Sequence, residues 1–147
     1  MRLWHYRLIS HLPNSQLVAQ WRELNSIFKN QNRHILINYV YEYEKKNLLD
    51  YSLLVVREML ARKYKLNFEN MLSYFDISKD SLALPSIDSS NGKLSLGNPF
   101  PNHHTARYLK QCFWNLAEKF DRKQKDFPKK IYDGIRHECF DVLDSCE

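Results

Sequence analysis

The sequence predicts an all-α protein: a single compact domain over residues 1–147, built from three main helices and a C-terminal helix, with one long irregular loop. Three observations support this fold class. Apolar side chains recur every three or four residues in four stretches, as on the buried face of an amphipathic helix. The 147 residues are 44% hydrophobic and 14% aromatic, which suffices for a well-filled core. No internal repeat or second-domain boundary interrupts the pattern.

The first predicted helix runs from Ser15 to Lys29 and follows an N-terminal arm, residues 1–13, that is rich in large rings. The apolar stripe of this helix consists of Leu17, Trp21, Leu24 and Phe28. Asn14 or Ser15 can cap it, because their side-chain oxygens accept from the free N–H groups of the first turn. The arm either packs into the core or lines a site.

Arg22 and Glu23 are adjacent in the first helix but face different directions. At about 100° per residue, Arg22 lies opposite the apolar stripe, and Glu23 lies on a flank near Gln16 and Gln20. A carboxylate beside a guanidinium stays ionised and can stabilise a cation or move a proton. Taken alone, such a pair is also typical of a solvated helix surface.

The second predicted helix runs from Leu48 to Tyr64, and Asn47 with Asp50 resembles a capping arrangement at its start. Its apolar stripe consists of Leu49, Leu53, Val56 and Leu60. The preceding residues, 33–44, form a short helix or an irregular buried segment. The alternation of side chains over residues 39–44 also permits a strand.

A short helix from Phe68 to Phe75 leads into the long irregular loop, residues 77–102, which contains three prolines and two glycines. Within this loop, Asn91-Gly92 could turn a small hairpin between residues 82–84 and 94–96. A loop of this length is often functional or disordered.

The third main helix is predicted from Thr105 to Phe120, and the last helix from Lys129 to Leu143. The last helix has an apolar face formed by Ile131, Ile135 and Cys139. A basic run lies near the junction of the two helices: Arg122, Lys123, Lys125, Lys129 and Lys130. This run either contacts phosphates or is a solvated surface.

The charge and the composition narrow the class of partner. Lys plus Arg total 22 and Asp plus Glu total 17, and the net charge of +5 permits a polyanion such as nucleic acid without requiring one. No apolar run is long enough for a membrane span, and the N-terminus lacks the apolar segment of a signal peptide. The three cysteines have no metal-binding spacing and indicate free thiols in a reducing compartment, so we expect a cytoplasmic protein.

No metal or cofactor site is expected from the sequence. His103 and His104 are adjacent, so on a helix their side chains would point apart. His137-Glu138-Cys139 is a weak match to any zinc pattern, and phosphate-binding glycine loops are absent.

The most specific pattern lies in residues 1–24, where Arg22-Glu23 stands at a fixed distance from the chain start. The pattern comprises Leu8, Ser10, Leu12, Leu17, Ala19 and Trp21, followed by Arg22-Glu23-Leu24. Together these residues resemble the pyrimidine-dimer DNA glycosylase family, of the endonuclease V type, and above all its bacterial members. The likeness extends to about residue 65 and returns weakly over residues 101–119.

The resemblance implies a DNA-repair glycosylase with abasic-site lyase activity on damaged double-stranded DNA, such as DNA with pyrimidine dimers. In this family the chain's own α-amine attacks the sugar C1′, expels the base and leaves an imine that permits β-elimination and strand breakage. An α-amine suits this role because its pKa is about 7.7–8.0. The implied catalytic residues are Met1 and Glu23.

The resemblance also implies which residues hold the DNA, and here the chain departs from the family pattern. The expected DNA-binding residues are Arg2, Arg22, Gln16 and Arg7, with no metal, no cofactor and a monomeric chain. Gln16 replaces a histidine of the pattern, and Ser26 replaces an arginine. Because the large Arg2 follows Met1, we expect Met1 to be retained, which shifts the amine by one residue, or up to about 3.6 Å.

Two other functions remain open from the sequence. The first is a non-catalytic nucleic-acid-binding member of the same fold, and the second is a helical interaction module without a nucleic-acid role. Glu23 favours the enzyme, because a surface that only binds phosphate gains nothing from a carboxylate.

Overall fold

Six α-helices and three short 3₁₀ helices form most of residues 2–82, 84 and 97–143, the part of the chain that the computed structural model describes. The α-helices are α1 (Asn14–Asn30), α2 (Lys45–Ala61), α3 (Glu69–Phe75), α4 (Ala106–Asp121), α5 (Lys129–Glu138) and α6 (Phe140–Leu143). The 3₁₀ helices are Tyr6–His11, Asn38–Glu42 and Lys79–Ser81. These described residues contain no strand, so the predicted all-α class is confirmed.

The three longest helices, α1, α2 and α4, are the three main helices of the prediction. The predicted C-terminal helix is divided at Cys139, which is buried and has φ −91° and ψ 3°, outside the helical range. The amides of Val142 and Leu143 donate to the Cys139 carbonyl, which starts a separate short turn as α6. No helix of the described residues is long and apolar enough to cross a membrane.

Both predicted helix caps are wrong, because the polar groups of Ser15 at the start of α1 and of Asn47 at the start of α2 bond to more distant parts of the chain. At the start of α1, the Asp126 carboxylate accepts from the amide of Ser15 at 2.6 Å and from its hydroxyl at 2.9 Å. A carboxylate also complements the partial positive charge of a helix N-terminus. At the start of α2, the Asn47 side chain donates to the Pro99 carbonyl at 2.8 Å, and Asp50 lies 3.8 Å from Lys46.

Residues 33–44 form a turn followed by the 3₁₀ helix Asn38–Glu42, so the alternative of a strand is wrong. The amides of Ile37 and Asn38 both donate to the His34 carbonyl at 2.9 Å, and Ile37 is fully buried. The predicted hairpin around Asn91-Gly92 lies outside the described residues.

The N-terminal arm is part of the core. Leu3, Leu8 and Leu12 are fully buried, and the 3₁₀ helix Tyr6–His11 packs against α2 and α5. Helix α1 packs against α2 and α3, while α4 packs against α5 and α6. This arrangement holds the first residues of the chain against α1, which carries Glu23.

Candidate active site

Glu23 is half-buried on the flank of α1, between its core face and its solvent face. Its Oε1 atom is buried and has no hydrogen-bond partner among the described residues. Burial raises the pKa of this carboxyl above its ordinary value, and the positive charges of the N-terminus and of His34 partly oppose the shift. A raised carboxyl pKa with an unused oxygen is typical of a group that binds a ligand or moves a proton.

Arg22 is not among the groups that shift the pKa of Glu23. Its side chain is exposed, and the groups that act on the pKa of Glu23 are the N-terminus and His34. The expectation that Arg22 keeps Glu23 ionised is therefore wrong. Adjacent residues of a helix point about 100° apart, which separates the guanidinium from the carboxylate.

Gln20, one helical turn before Glu23, ties the start of the arm to α1. Its amide nitrogen donates to the Arg2 carbonyl at 3.1 Å, and its oxygen accepts from the Trp4 amide at 2.7 Å. The hydroxyl of Tyr51 on α2 lies 3.0 Å from the same oxygen and donates to the Trp4 carbonyl at 2.6 Å. Gln20 is 2% exposed, so these bonds are shielded from water. Its sequence signal is a polar residue next to an apolar stripe.

Helix α4 holds the arm from a second side. The Tyr108 hydroxyl donates to the Leu3 carbonyl at 2.6 Å. The Arg2 guanidinium lies over the Trp4 ring, 5.7 Å from its centroid. The backbone of residues 2–4 is therefore fixed by three side chains, one each from α1, α2 and α4.

Two buried histidines continue this fixation along the arm. The Nε2 atom of His5 lies 3.0 Å from the His104 carbonyl, and its Nδ1 accepts from the Arg7 amide. His104 accepts from the Tyr6 amide through Nδ1, and its Nε2 lies 2.7 Å from the Tyr39 hydroxyl. Burial lowers the pKa of His5 to about 4 and that of His104 to about 2, so both rings are neutral at physiological pH.

His103 points to a different set of partners than His104. Its Nδ1 atom lies 2.7 Å from the Tyr43 hydroxyl, and its Nε2 lies 3.6 Å from the Glu42 carboxylate. Within the described residues, no group of three His, Cys, Asp or Glu side chains has the geometry of a metal site. The two adjacent histidines serve hydrogen bonding within the protein.

Two of the predicted DNA-binding residues, Arg7 and Gln16, bond within the protein. Arg7 donates to the Glu138 carboxylate at 3.0 Å and to Asp141 at 3.1 and 3.2 Å, so it joins the arm to α5 and α6. Gln16 lies two turns before Glu23 and donates to the Gln124 side chain at 2.9 Å.

The segment after α1 borders the candidate site and was not recognised from the sequence. Gln31 has a left-handed φ of 48° and reverses the chain at the end of α1. Asn32 then donates to the Ser26 hydroxyl at 3.3 Å, and Ser26 is one turn beyond Glu23. The Tyr41 hydroxyl donates to the Asn32 carbonyl at 2.5 Å.

The model of one protein family, pyrimidine dimer DNA glycosylase, matches residues 1–71. Over these residues the chain is similar to the pyrimidine dimer DNA glycosylase family. The resemblance predicted from the sequence is thereby confirmed. Comparisons with curated proteins and with solved structures gave no significant match.

The pyrimidine dimer DNA glycosylase segment contains the arm, α1 and α2, and so includes Gln20, Glu23 and Tyr51. At the coarse level, this match indicates a DNA glycosylase that binds damaged DNA. The other residues that fix the arm, His104 and Tyr108, lie outside the matched segment.

Proposed function

We propose that the protein is a DNA-repair glycosylase with associated abasic-site lyase activity, acting through its N-terminal α-amine and Glu23 on damaged double-stranded DNA such as pyrimidine-dimer DNA. The observation that carries the proposal is the buried, unpartnered Oε1 of Glu23, one turn along the helix from Gln20, whose amide anchors the start of the chain. The proposal includes a monomer, because one chain supplies both groups.

The chemistry needs a neutral amine and a proton acceptor. The amine nitrogen of Met1 bonds to the sugar C1′ while the bond from C1′ to the base breaks, and the base leaves with the electron pair and takes up a proton. The attached nitrogen passes one proton to the Glu23 carboxylate, and the ring oxygen O4′ takes up a proton as the sugar ring opens, which leaves a cationic imine at C1′. Loss of a proton from C2′ then expels the 3′ phosphate, which breaks the strand, and water later hydrolyses the imine to restore the amine.

Chain connectivity supports the role of Met1. The Arg2 carbonyl accepts a hydrogen bond from Gln20, and consecutive Cα atoms are about 3.8 Å apart, so the covalent chain limits the reach of an N-terminal amine from that anchor. Glu23 follows Gln20 by three residues, a rise of about 4.5 Å along α1. The amine and the carboxylate can therefore act on the same sugar.

The raised pKa of Glu23 supports its role in proton transfer. A carboxyl that ionises closer to neutral pH holds and releases a proton more readily than a solvated one. In its ionised form, the same group stabilises the cationic imine by its opposite charge. Its unpartnered oxygen needs no protein bond to be broken before it acts.

The DNA contacts that we propose begin at Arg22 and Arg2. The Arg22 side chain is exposed one position before Glu23 and suits a phosphate contact. Arg2 is half-buried beside the Trp4 ring at the start of the arm. We assign Arg7 and Gln16 to the stability of the fold, because protein partners occupy their polar atoms.

The experiment that tests the function compares Glu23→Gln with wild type on a duplex containing one abasic site and on ultraviolet-irradiated duplex. We expect strand cleavage to fall about 100-fold or more, because the variant cannot accept the proton or balance the imine charge. Binding should persist, and the melting temperature should be no lower than that of wild type. Glu69→Gln, an exposed carboxyl on α3, is the matched control and should cleave normally. Unchanged cleavage by Glu23→Gln would contradict the proposal.

A further inference from the structure

A turn after α1 presents two apolar side chains to solvent. Ile35 is 82% exposed, the highest value among the large hydrophobic residues that the structure describes, and Leu36 is 42% exposed. Both follow Gln31, where the chain reverses. Single exposed aliphatic residues are common on protein surfaces and need no function. The position and the rigidity of this pair therefore decide whether it is a contact site.

The turn is held rigidly. The Ile37 side chain is fully buried below it, and the Ile37 amide donates to the His34 carbonyl at 2.9 Å. The Leu36 amide donates to His34 Nδ1 at 3.2 Å. Ile35 and Leu36 therefore stand on a prearranged backbone, which lowers the entropy lost when they contact a partner.

The turn lies beside the candidate active site. Asn32 bonds to Ser26, one helical turn from Glu23, so the segment that leads into the turn folds back along α1. The Tyr41 hydroxyl fixes the same residue from the other side. The segment that leads to Ile35 therefore runs along the side of α1 that carries Ser26 and Glu23.

Positive charges flank the apolar tip. The Arg33 guanidinium lies over the Tyr41 ring, 4.4 Å from its centroid, and its side chain is exposed. Lys29 and Arg22 are exposed on α1, the helix along which the segment before the tip folds. An apolar tip that follows a segment with exposed cations matches a partner with an anionic outside and an apolar, stacked inside, which is duplex DNA.

We propose that Ile35 and Leu36 form a wedge that enters duplex DNA beside the damaged nucleotide and separates stacked bases, so that the sugar becomes accessible to Glu23. This inference rests on the proposed function. Apolar side chains inserted between base steps unstack and kink a duplex, and unstacking is needed before an enzyme can act on a nucleotide held in the helix. Contacts between the two side chains and the bases offset the stacking energy that is lost.

The first test measures base unstacking without cleavage. Glu23→Gln protein is bound to a duplex with a reduced, uncleavable abasic site and 2-aminopurine at the adjoining base. We expect the 2-aminopurine fluorescence to rise several-fold on saturation. Adding Ile35→Ser and Leu36→Ser should abolish most of that rise while the Kd changes by less than about fivefold. Adding Leu60→Ser instead, an equally apolar residue 40% exposed on α2, should leave the rise intact.

A second measurement separates the wedge from the chemistry. With active protein, the ratio of cleavage on duplex to cleavage on the same abasic strand without its complement should fall about tenfold in the Ile35→Ser, Leu36→Ser variant. An unchanged ratio, or a fluorescence rise that survives the two substitutions, would overturn the wedge and leave the proposed function standing. Wild-type protein that unstacks the duplex but cleaves neither substrate would overturn the proposed function and leave the wedge standing. Absence of duplex binding would overturn both.

Discussion

The Glu23 carboxyl has an environment that opposes stability. A buried polar oxygen without a partner costs about 1–3 kcal/mol. Proteins retain such a group where its unused bonding capacity serves a ligand, and the buried Oε1 of Glu23 faces no protein donor among the described residues. Under the proposed function, this cost is the expected consequence of a site that is complete only with DNA bound.

Arg22 and Arg7 were both predicted to bind DNA, and substitutions can now distinguish them. We expect Arg22→Gln to weaken duplex binding and to lower the slope of log K against log salt by about 0.9, because one phosphate contact is lost. The melting temperature should not change, since the side chain is exposed. Binding titrations at four salt concentrations measure the slope.

Arg7→Gln is the matched comparison and should behave in the opposite way. It breaks the bonds to Glu138 and Asp141, so we expect a loss on the order of 1 kcal/mol and a melting temperature a few degrees lower. The salt slope should stay at the wild-type value. A smaller salt slope for Arg7→Gln with no loss of stability would reverse the two assignments.

For individual residues, helix geometry predicted the directions of the side chains but not their partners. The exposure of Arg22 and the flank position of Glu23 follow from 100° per residue. The partner of Arg7 lies 131 residues away in sequence, where no local pattern can point to it. The pKa direction of Glu23 likewise depends on burial by the assembled fold.

Among the elements, the N-terminal arm is tied to α1 by the Gln20 side chain. Gln20 uses both its donor and its acceptor on the backbone of Arg2 and Trp4. A buried amide with these bonds orients the chain as well as stabilising it. Its position on α1 means that the arm and Glu23 are held by the same rigid helix.

We expect Gln20→Met to slow imine formation about 10–100-fold at saturating DNA, because the arm is no longer fixed beside Glu23. The DNA concentration for half-maximal rate should change little, since Gln20 is buried away from the surface. Single-turnover trapping on an abasic duplex measures both quantities.

Tyr51→Phe serves as the control for Gln20→Met. It removes a hydroxyl that bonds to Trp4 but leaves the bond from Gln20 to Arg2, so the protein should lose stability with a smaller loss of rate. Equal losses of stability and equal losses of rate in both variants would show that Gln20 acts on stability alone.

The helices were predicted best where an apolar stripe defines them. The bounds of α1 differ by one residue at each end, because the stripe of Leu17, Leu24 and Phe28 spans the element. The start of α2 was misplaced because no local cap marks it, and Asn47 bonds to Pro99 instead. The division at Cys139 has no sequence signal, since the apolar stripe continues across it.

Across the whole molecule, the buried histidines join the family-matched segment to the rest of the chain. His5 and His104 are 99 residues apart in sequence and contact each other through a hydrogen bond and stacked rings. Tyr39 and Tyr108 pack on the same His104 ring. These four residues form a layer that supports the N-terminal arm. No sequence motif predicted this layer, because its members are distant from one another in the chain.

The layer should make the protein sensitive to acid. Because the folded-state pKa values of His5 and His104 lie below 6.5, at about 4 and about 2, their contribution is complete above pH 6.5 and is lost as the pH falls below it. Each group can lower the free energy of unfolding by up to about 1.4 kcal/mol per pH unit. Melting temperatures between pH 8 and pH 4 test this directly.

The histidine variants give the control. His104→Gln should be less stable than wild type at pH 8 but should lose less stability between pH 6.5 and pH 4. His137→Gln, an exposed histidine on α5, should follow the wild-type curve. A wild-type melting temperature that stays flat down to pH 4 would contradict the neutral, buried state of the two rings.

The central claim concerns the identity of the nucleophile, and borohydride trapping on an abasic-site duplex tests it most directly. Reduction converts the imine into a stable bond, and peptide mapping with intact mass then locates the linkage. We predict a covalent adduct on the N-terminal residue in the wild-type protein. The absence of an adduct at concentrations where the duplex is demonstrably bound, or an adduct on a lysine side chain, would contradict the account.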